Sequence, residues 1–352
     1  MRALLWVLLW VTTNMWGLQI QNEFVQVRLG PEGFDHGRFS IETTGGDPGR
    51  ETDNDQPLIY GRPQPWTSYT TVLVDGVAYG VGTQSVKRAG KGARYGQVVA
   101  SGLQDGGIQT DTVLDNGIRV EQRLRLFRNP MTNVEDSVLI EYNVKNNSKS
   151  TKNIGVRVMM DTMLGANDGA PFRIGADTVV AERAYKGDGI ADYWQSFDNL
   201  VSPNVVAQGL VRYPAAGLTA PDRLAVLNWG TLADNVYQVA IRPGRSFIRE
   251  GEEEPDTAIA MWWDAQAVAP GGVRTVRTVM GLGDISVSPG DVALGISAPA
   301  QLALTDPNAY NIVAYIVNTG GFRVQNAVAN LQLPKGLRVV DGGQTRVAMG
   351  TL

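Results

Sequence analysis

The chain has 352 residues, enough to bury a sizeable core and to hold two domains. It has no cysteine and one histidine, His36, which excludes disulfides, thiolate metal sites and cysteine nucleophiles; any histidine chemistry would rest on that one residue in the loop GPEGFDHGRFS, where it reads as a surface polar group. A net charge of −4 with scattered Lys and Arg excludes a basic nucleic-acid surface, and 19% charged residues beside 41 Gly and 17 Pro favour many short strands over helices.

At the amino end, Met1-Arg2 precedes the apolar run ALLWVLLWV and then polar TTN. This layout predicts a secretory signal peptide over residues 1–19, too short to span a membrane, with a cut near Gly17 or Gln19 although no A-x-A pattern follows. The expected location is therefore exported: extracellular, cell surface or periplasm. A buried amino-terminal strand is the structural alternative.

Alternation of apolar and polar residues then predicts strands at FVQVRL (24–29) and RFSIET (38–43). A polar GGDPGRETDNDQP loop covers 45–57. SYTTVLV (68–74) and VAYGV (77–81) flank an Asp75-Gly76 hairpin turn, and Asp115-Asn116-Gly117 repeats the device before IRVEQRLRLF. In that strand Arg119, Glu121, Arg123 and Arg125 are expected on the wet face. Gly-rich KRAGKGARYG (87–96) lacks the ending of a phosphate loop, so no nucleotide is expected.

The organising stretch is Val134–Phe172. Val138, Ile140, Tyr142 and Val144 alternate, Asn146-Asn147-Ser148 turn, and Ile154, Val156, Val158 and Met160 alternate again. This predicts a β-hairpin or strand pair with one buried face. The loop that follows holds Asp161, Asn167, Asp168 and Gly169, at a place where a sandwich presents ligand-facing groups. Further strands are expected at LAVLNW (224–229), VYQVAI (236–241), AIAMWW (258–263) and VRTVRTVM (273–280), and the acidic run 250–256 reads as a solvated loop.

From Val292 the pattern restarts in short strands and stops mid-strand at Leu352, which points to a fragment of a longer protein. The run AYIVNTG (314–320) followed by LPKGL (333–337) resembles the immunoglobulin-like repeat modules of bacterial surface and secreted proteins, which implies a spacer or adhesion module. The body, with EYNVKNN at 141–147 and APGG at 269–272, resembles the galactose-mutarotase-like supersandwich and uncharacterised bacterial secreted proteins of that pattern. Mutarotases of that family rely on histidines and a glutamate, and this chain offers only His36. The fold class expected is all-β: a large antiparallel sandwich over 20–285, then a partial immunoglobulin-like sandwich over 291–352.

The candidate sites follow from carboxylates and aromatics. Asp161 and Asp168 are candidate catalytic acids, since paired carboxylates cleave glycosidic bonds. Trp66, Trp262, Trp263 and Asp264 are candidate sugar contacts, because sugar faces stack on indoles while acids bind hydroxyls. Core or edge packing of the three rings is the alternative reading. Asp53 and Asp55, with Asp47 and Asn54, are candidate calcium ligands, and Asn167-Asp168-Gly169 is a second calcium candidate; Asx residues also make such turns unaided. No other cofactor is expected. The leading functional expectation is a non-catalytic binding or spacer module at the cell surface, with polysaccharide or surface components as partners and neither nucleic acid, nucleotide nor a membrane span. The alternative is a polysaccharide-processing enzyme, a glycoside hydrolase or lyase, using aspartates. A purely structural envelope protein is a third reading.

Overall fold

The computed structural model describes residues 17–283, apart from 34, 46–51, 131–133, 176 and 201–202, together with 292–297, 313–318, 323–333, 336–340 and 344–351. Its described residues are nearly all β, with one α-helix, Trp229–Asp234, and two short 3-10 turns. No described helix is long and apolar enough to cross a membrane.

Two layers carry the body, antiparallel except for the parallel pair Val77–Gly80 and Arg94–Tyr95 at one edge. One has nine strands, with Ser137–Asn146 between Ile118–Phe127 and Val273–Leu282. The other has seven, with Lys152–Asp161 between Tyr69–Val74 and Thr257–Val268. A three-stranded sheet, Gln19–Gln21, Val25–Leu29 and Phe39–Thr43, completes the body. Val120, Leu124, Val138, Ile140, Val144, Val156, Val158, Met160, Trp263 and Val276 belong to one continuous core between the layers. Burying a Val, Leu or Ile side chain contributes about 1.5–3 kcal/mol, so this core dominates the favourable energy. Polar groups also pair inside it: Thr70 Oγ1 donates to the Tyr142 hydroxyl at 2.7 Å, and Gln122 Nε2 donates to the same oxygen at 2.8 Å.

The expected hairpin in the organising stretch is corrected. Ser137–Asn146 and Lys152–Asp161 do not pair; each joins a different layer, so the turn between them is an arch over the sandwich edge. Thr257–Val268 and Val273–Leu282 make a second arch alongside. The two lock together: Asn146 N–H donates to Gly272 O at 2.9 Å, Gly271 N–H donates to Asn146 O at 2.7 Å, and Asn146 Nδ2 donates to Val268 O at 2.8 Å. Alternation shows which face is buried, and a hairpin and an arch bury the same residues.

The strand expected at 236–241 is also absent. The chain there runs irregularly across the outer face of the seven-stranded layer, with Tyr237, Val239 and Ile241 packed on Met159, Ala260 and Trp262. The Trp262 indole N–H donates to Tyr237 O at 2.9 Å, which satisfies a carbonyl that no strand partner takes. This cover, with the helix, buries Arg157 completely; its guanidinium donates to Leu232 O and Asn235 O. His36, expected on the surface, is buried, and burial lowers its pKa against an opposing influence of Glu32.

At the amino end, residues 1–16 of the expected leader lie outside the described residues. Leu18 belongs to the fold: Leu29 N–H donates to Leu18 O at 2.8 Å. In the carboxyl-terminal part, Val292–Ser297 pairs with Val313–Asn318 and Ala327–Asn330 with Arg346–Gly350, forming two separate antiparallel ladders. The LPKGL residues 334–335 and NTG residues 319–320 lie outside the described residues.

Candidate functional site

Asp161 ends the strand Lys152–Asp161, on the face opposite the core-facing Met160 and Val158. Its backbone is held from both sides: Asp161 N–H donates to Ser68 Oγ, and Tyr60 N–H donates to Asp161 O, each at 2.9 Å. Asp168 follows in a loop where Asn167 Nδ2 donates to Asp198 O at 2.8 Å and Gly169 N–H donates to Asn167 Oδ1 at 2.9 Å. Gly169 is required there, since an added Cβ would stand 2.4 Å from the Pro255 ring. Asp256 directly precedes the neighbouring strand Thr257–Val268, whose Ala258 pairs with Asp161.

Thr257 stitches the three segments together. Its N–H donates to Asp168 O at 2.9 Å, and its carbonyl accepts from Thr162 N–H at 3.1 Å and Thr162 Oγ1 at 3.0 Å. Trp229 N–H donates to Asp256 O at 3.0 Å. As a result one carboxylate oxygen each of Asp161, Asp168 and Asp256 lies within 4.8 Å of the others, the single such acidic group of three or more among the described residues. Asp161 is 3% exposed, and Asp168 and Asp256 are partly buried. Oδ1 of each of the three is buried without a hydrogen-bond partner.

The electrostatics follow from burial and like charge. Burial, then the charges of Asp256 and Asp168, holds the Asp161 carboxyl well above the usual carboxylate range, against a hydrogen bond from Thr67. Burial and Glu254 raise Asp168. Burial, Asp168 and Glu252 push Asp256 up to about 7, with Arg88 and Arg249 opposing. Like charges this close in a poorly solvated place disfavour simultaneous ionisation.

An aromatic corner adjoins the acids. Trp66 makes edge contacts with Tyr60 at 6.2 Å and with Trp229 at 5.5 Å between ring centroids. The Lys87 ammonium stands 4.6 Å over the Trp66 ring. The corner is tied to the acids through Tyr60, which bonds Asp161, through Trp229, which bonds Asp256, and through Thr67, whose carbonyl accepts the Trp229 indole N–H at 3.3 Å. Asn167, Gly169 and Pro255, chain neighbours of two of the acids, also line a groove of about 370 Å³ with Val180, Asp198, Phe247 and Ile248.

Among the residues expected from sequence, Asp161, Asp168 and Trp66 come together here. Trp262 and Trp263 do not: both are buried, Trp263 in the inter-layer core with its N–H on Thr219 O at 2.8 Å, and Trp262 under the outer cover. Neither ring presents a face for stacking, so their expected role as sugar contacts is corrected. Asp264 sits at the surface in an ion pair with Arg223 at 3.1 Å. Asp53 is buried, and Asp55 occupies a left-handed turn position (φ 55°) where its carbonyl accepts from Arg62 at 2.9 Å. No third acid of the described residues joins them; Asp47 lies outside the described residues. The residues missed were Asp256, Trp229, Tyr60 and Thr67. Asp256 reads in sequence as part of a solvated acidic run, but it is the one acid of that run adjoining the apolar AIAMWW strand, and that adjacency is the available signal.

No protein-family model and no curated protein sequence matches the chain. Several solved structures are similar to it in fold. A galactose mutarotase-like protein from Lactobacillus casei is 8% identical with a TM-score of 0.43, over 76% of this chain and 99% of its own. A putative aldose 1-epimerase from Escherichia coli K12 is 9% identical with a TM-score of 0.43, over 75% and 98%. A galactose mutarotase related enzyme from Lactobacillus acidophilus is 11% identical with a TM-score of 0.39, over 76% and 97%. The expected all-β class is found in the strands and sheets of the described residues.

The expectation of a non-catalytic binding or spacer module is overturned. Two of the similar structures are named a galactose mutarotase related enzyme and a putative aldose 1-epimerase, and those names are said of those proteins. Within this chain, the physical argument is the acidic trio, which a spacer does not need and which burdens the fold with three buried oxygens lacking partners.

Proposed function

We propose that the protein is a carbohydrate-processing enzyme whose active centre is the trio Asp161, Asp168 and Asp256 beside the Tyr60–Trp66–Trp229 corner. The observation that carries the reading is the convergence of three carboxylates from three chain segments, their Oδ1 oxygens buried without partners. Cleavage of a glycosidic bond develops positive charge at the anomeric carbon, and preorganised carboxylates stabilise that charge where water is scarce. The partly exposed Trp66 indole supplies an apolar face for the sugar, with Trp229 buried behind it, and acids and hydroxyls meet the sugar's polar edge. The groove lined by Asn167, Gly169 and Pro255, chain neighbours of Asp168 and Asp256, offers room for a sugar near the centre. The leader-like amino end supports an exported enzyme acting on polysaccharide outside the cytoplasm.

Incubation of the chain with a panel of polysaccharides tests this. We expect release of reducing or unsaturated ends by the wild type and its loss in Asp161→Asn at unchanged folding. Equal release by both proteins, or none from any substrate, overturns the assignment.

A further inference from the structure

We propose that Asp161, Asp168 and Asp256, together with the Thr67 hydroxyl, form a binding site for a divalent cation of calcium's kind. This goes beyond the sugar-processing reading and does not depend on it.

The first observation is geometric. The three carboxylate oxygens lie within 4.8 Å of one another. Calcium bonds oxygen at about 2.3–2.6 Å and so bridges oxygens up to roughly 5 Å apart, whereas magnesium at about 2.0–2.1 Å spans only about 4 Å and demands a regular octahedron. The second observation concerns satisfaction. Asp161, 3% exposed, has its Oδ1 buried with no hydrogen-bond partner, and Oδ1 of Asp168 and of Asp256 is in the same condition. The Thr67 hydroxyl, also buried, faces Asp161 and has no other partner. Buried polar atoms are ordinarily paired, so an unpartnered buried oxygen on each of three clustered carboxylates calls for a shared positive partner.

The donor set specifies the chemistry. All four atoms are hard oxygens. The chain has no cysteine, and its one histidine, His36, is engaged through its backbone with Thr83, whose Oγ1 accepts from His36 N–H and whose N–H donates to His36 O. An oxygen-only set suits calcium, magnesium or manganese over zinc or copper. Preorganisation favours a tight site: the ligand backbones are fixed by Ser68, Tyr60, Thr257 and Trp229 before any ion arrives. The charge balance also closes well. Three carboxylates against a dication leave one negative charge, and Arg88 and Arg249 bear on Asp256 from outside. The half-buried Asp168 and Asp256 leave the solvent side for water or for sugar hydroxyls, which calcium binds readily.

The test uses the full chain, freed of metal by a chelator, at pH 7.5. Calcium chloride is titrated by calorimetry, and thermal unfolding is followed with and without it; magnesium chloride serves as comparison. We expect one equivalent of calcium bound and a rise in Tm of about 5 °C at a hundredfold excess over Kd. Both effects should be lost in Asp256→Asn, a variant expected to fold because it removes like-charge repulsion, and magnesium should bind more weakly. Absence of binding heat with an unmoved Tm overturns the site, as does an Asp256→Asn variant that responds like wild type. Glycan turnover persisting at full rate in chelator, with no calcium bound, sinks the cation site and spares the sugar reading. Calcium binding with no turnover of any glycan does the reverse.

Discussion

Two buried carboxylate clusters, one on the outer face of each layer, received opposite treatment. On the nine-stranded layer Glu141 sits among basic groups: Arg277 Nε donates to it, Arg123 and Arg125 stand at 3.9 and 3.8 Å, and Asn143 Nδ2 donates at 2.8 Å. Burial alone would raise its pKa, but the bonds from Arg277 and Asn143 and the arginine charges outweigh that and hold it below the usual glutamate value. On the seven-stranded layer Asp161, Asp168 and Asp256 meet with no direct ion pair, and all three are raised. The pairing of strands explains the first cluster: Glu141 lies directly across from Arg123 on one side and Arg277 on the other, so cross-strand register supplies its partners. The trio lies at strand ends and in a loop, where register supplies none. Glu141 thus acts as a brace of the sheet, and the trio as a site whose stabilising partner comes from outside the chain.

The largest effect expected from breaking this contrast is on chemistry. Asp161→Asn should lower glycan turnover by about a hundredfold or more while thermal unfolding stays cooperative, and Glu141→Gln should leave the rate per folded molecule unchanged. Next is stability. Glu141→Gln leaves partly solvated arginines without their shared acid and should destabilise by about 2 kcal/mol in urea unfolding, discounted from fully buried pairs because the arginines are about one-third exposed.

The pH dependence sharpens the same comparison. For Glu141 the folded pKa is lowered, so its contribution is present above the ordinary glutamate value of about 4.3 and is lost as pH falls through the folded value. For Asp256 the folded pKa is raised to about 7, so without metal its effect is absent below about 3.9 and destabilises increasingly as pH rises from there to about 7. A Tm series from pH 4 to 8 in chelator should therefore show Asp256→Asn gaining on wild type across that window, and the gain should level off above it. The smallest effect belongs to the aromatic corner: Trp66→Ala should weaken glycan retention about fivefold, read by affinity electrophoresis, with less change in turnover.

Much of the architecture was legible because period-two alternation reports burial directly. Ile118–Phe127 has Ile118, Val120, Gln122 and Leu124 inside and its charged residues outside, as its pattern implies. Partner choice was not legible. The arch between Asn146 and Lys152 and a hairpin place the same side chains on the buried face, and only long-range pairing with Thr257–Val268 and Val273–Leu282 separates them. Val236–Ile241 alternates because it covers an apolar sheet face, which selects the same residues as pairing does. Asp161 and Asp168 were legible as candidates because one loop joins them. Asp256 was hidden by its acidic neighbours, and Trp262-Trp263 misled because the covering segment that buries Trp262 comes from a distant stretch of chain.

The most direct test of the account is a paired stability measurement in chelator at pH 7 on Glu141→Gln and Asp256→Asn. The account predicts opposite signs, a loss of about 2 kcal/mol for the first and a gain of about 1 kcal/mol for the second. Destabilisation by both would contradict it, since the trio would then brace the fold as Glu141 does.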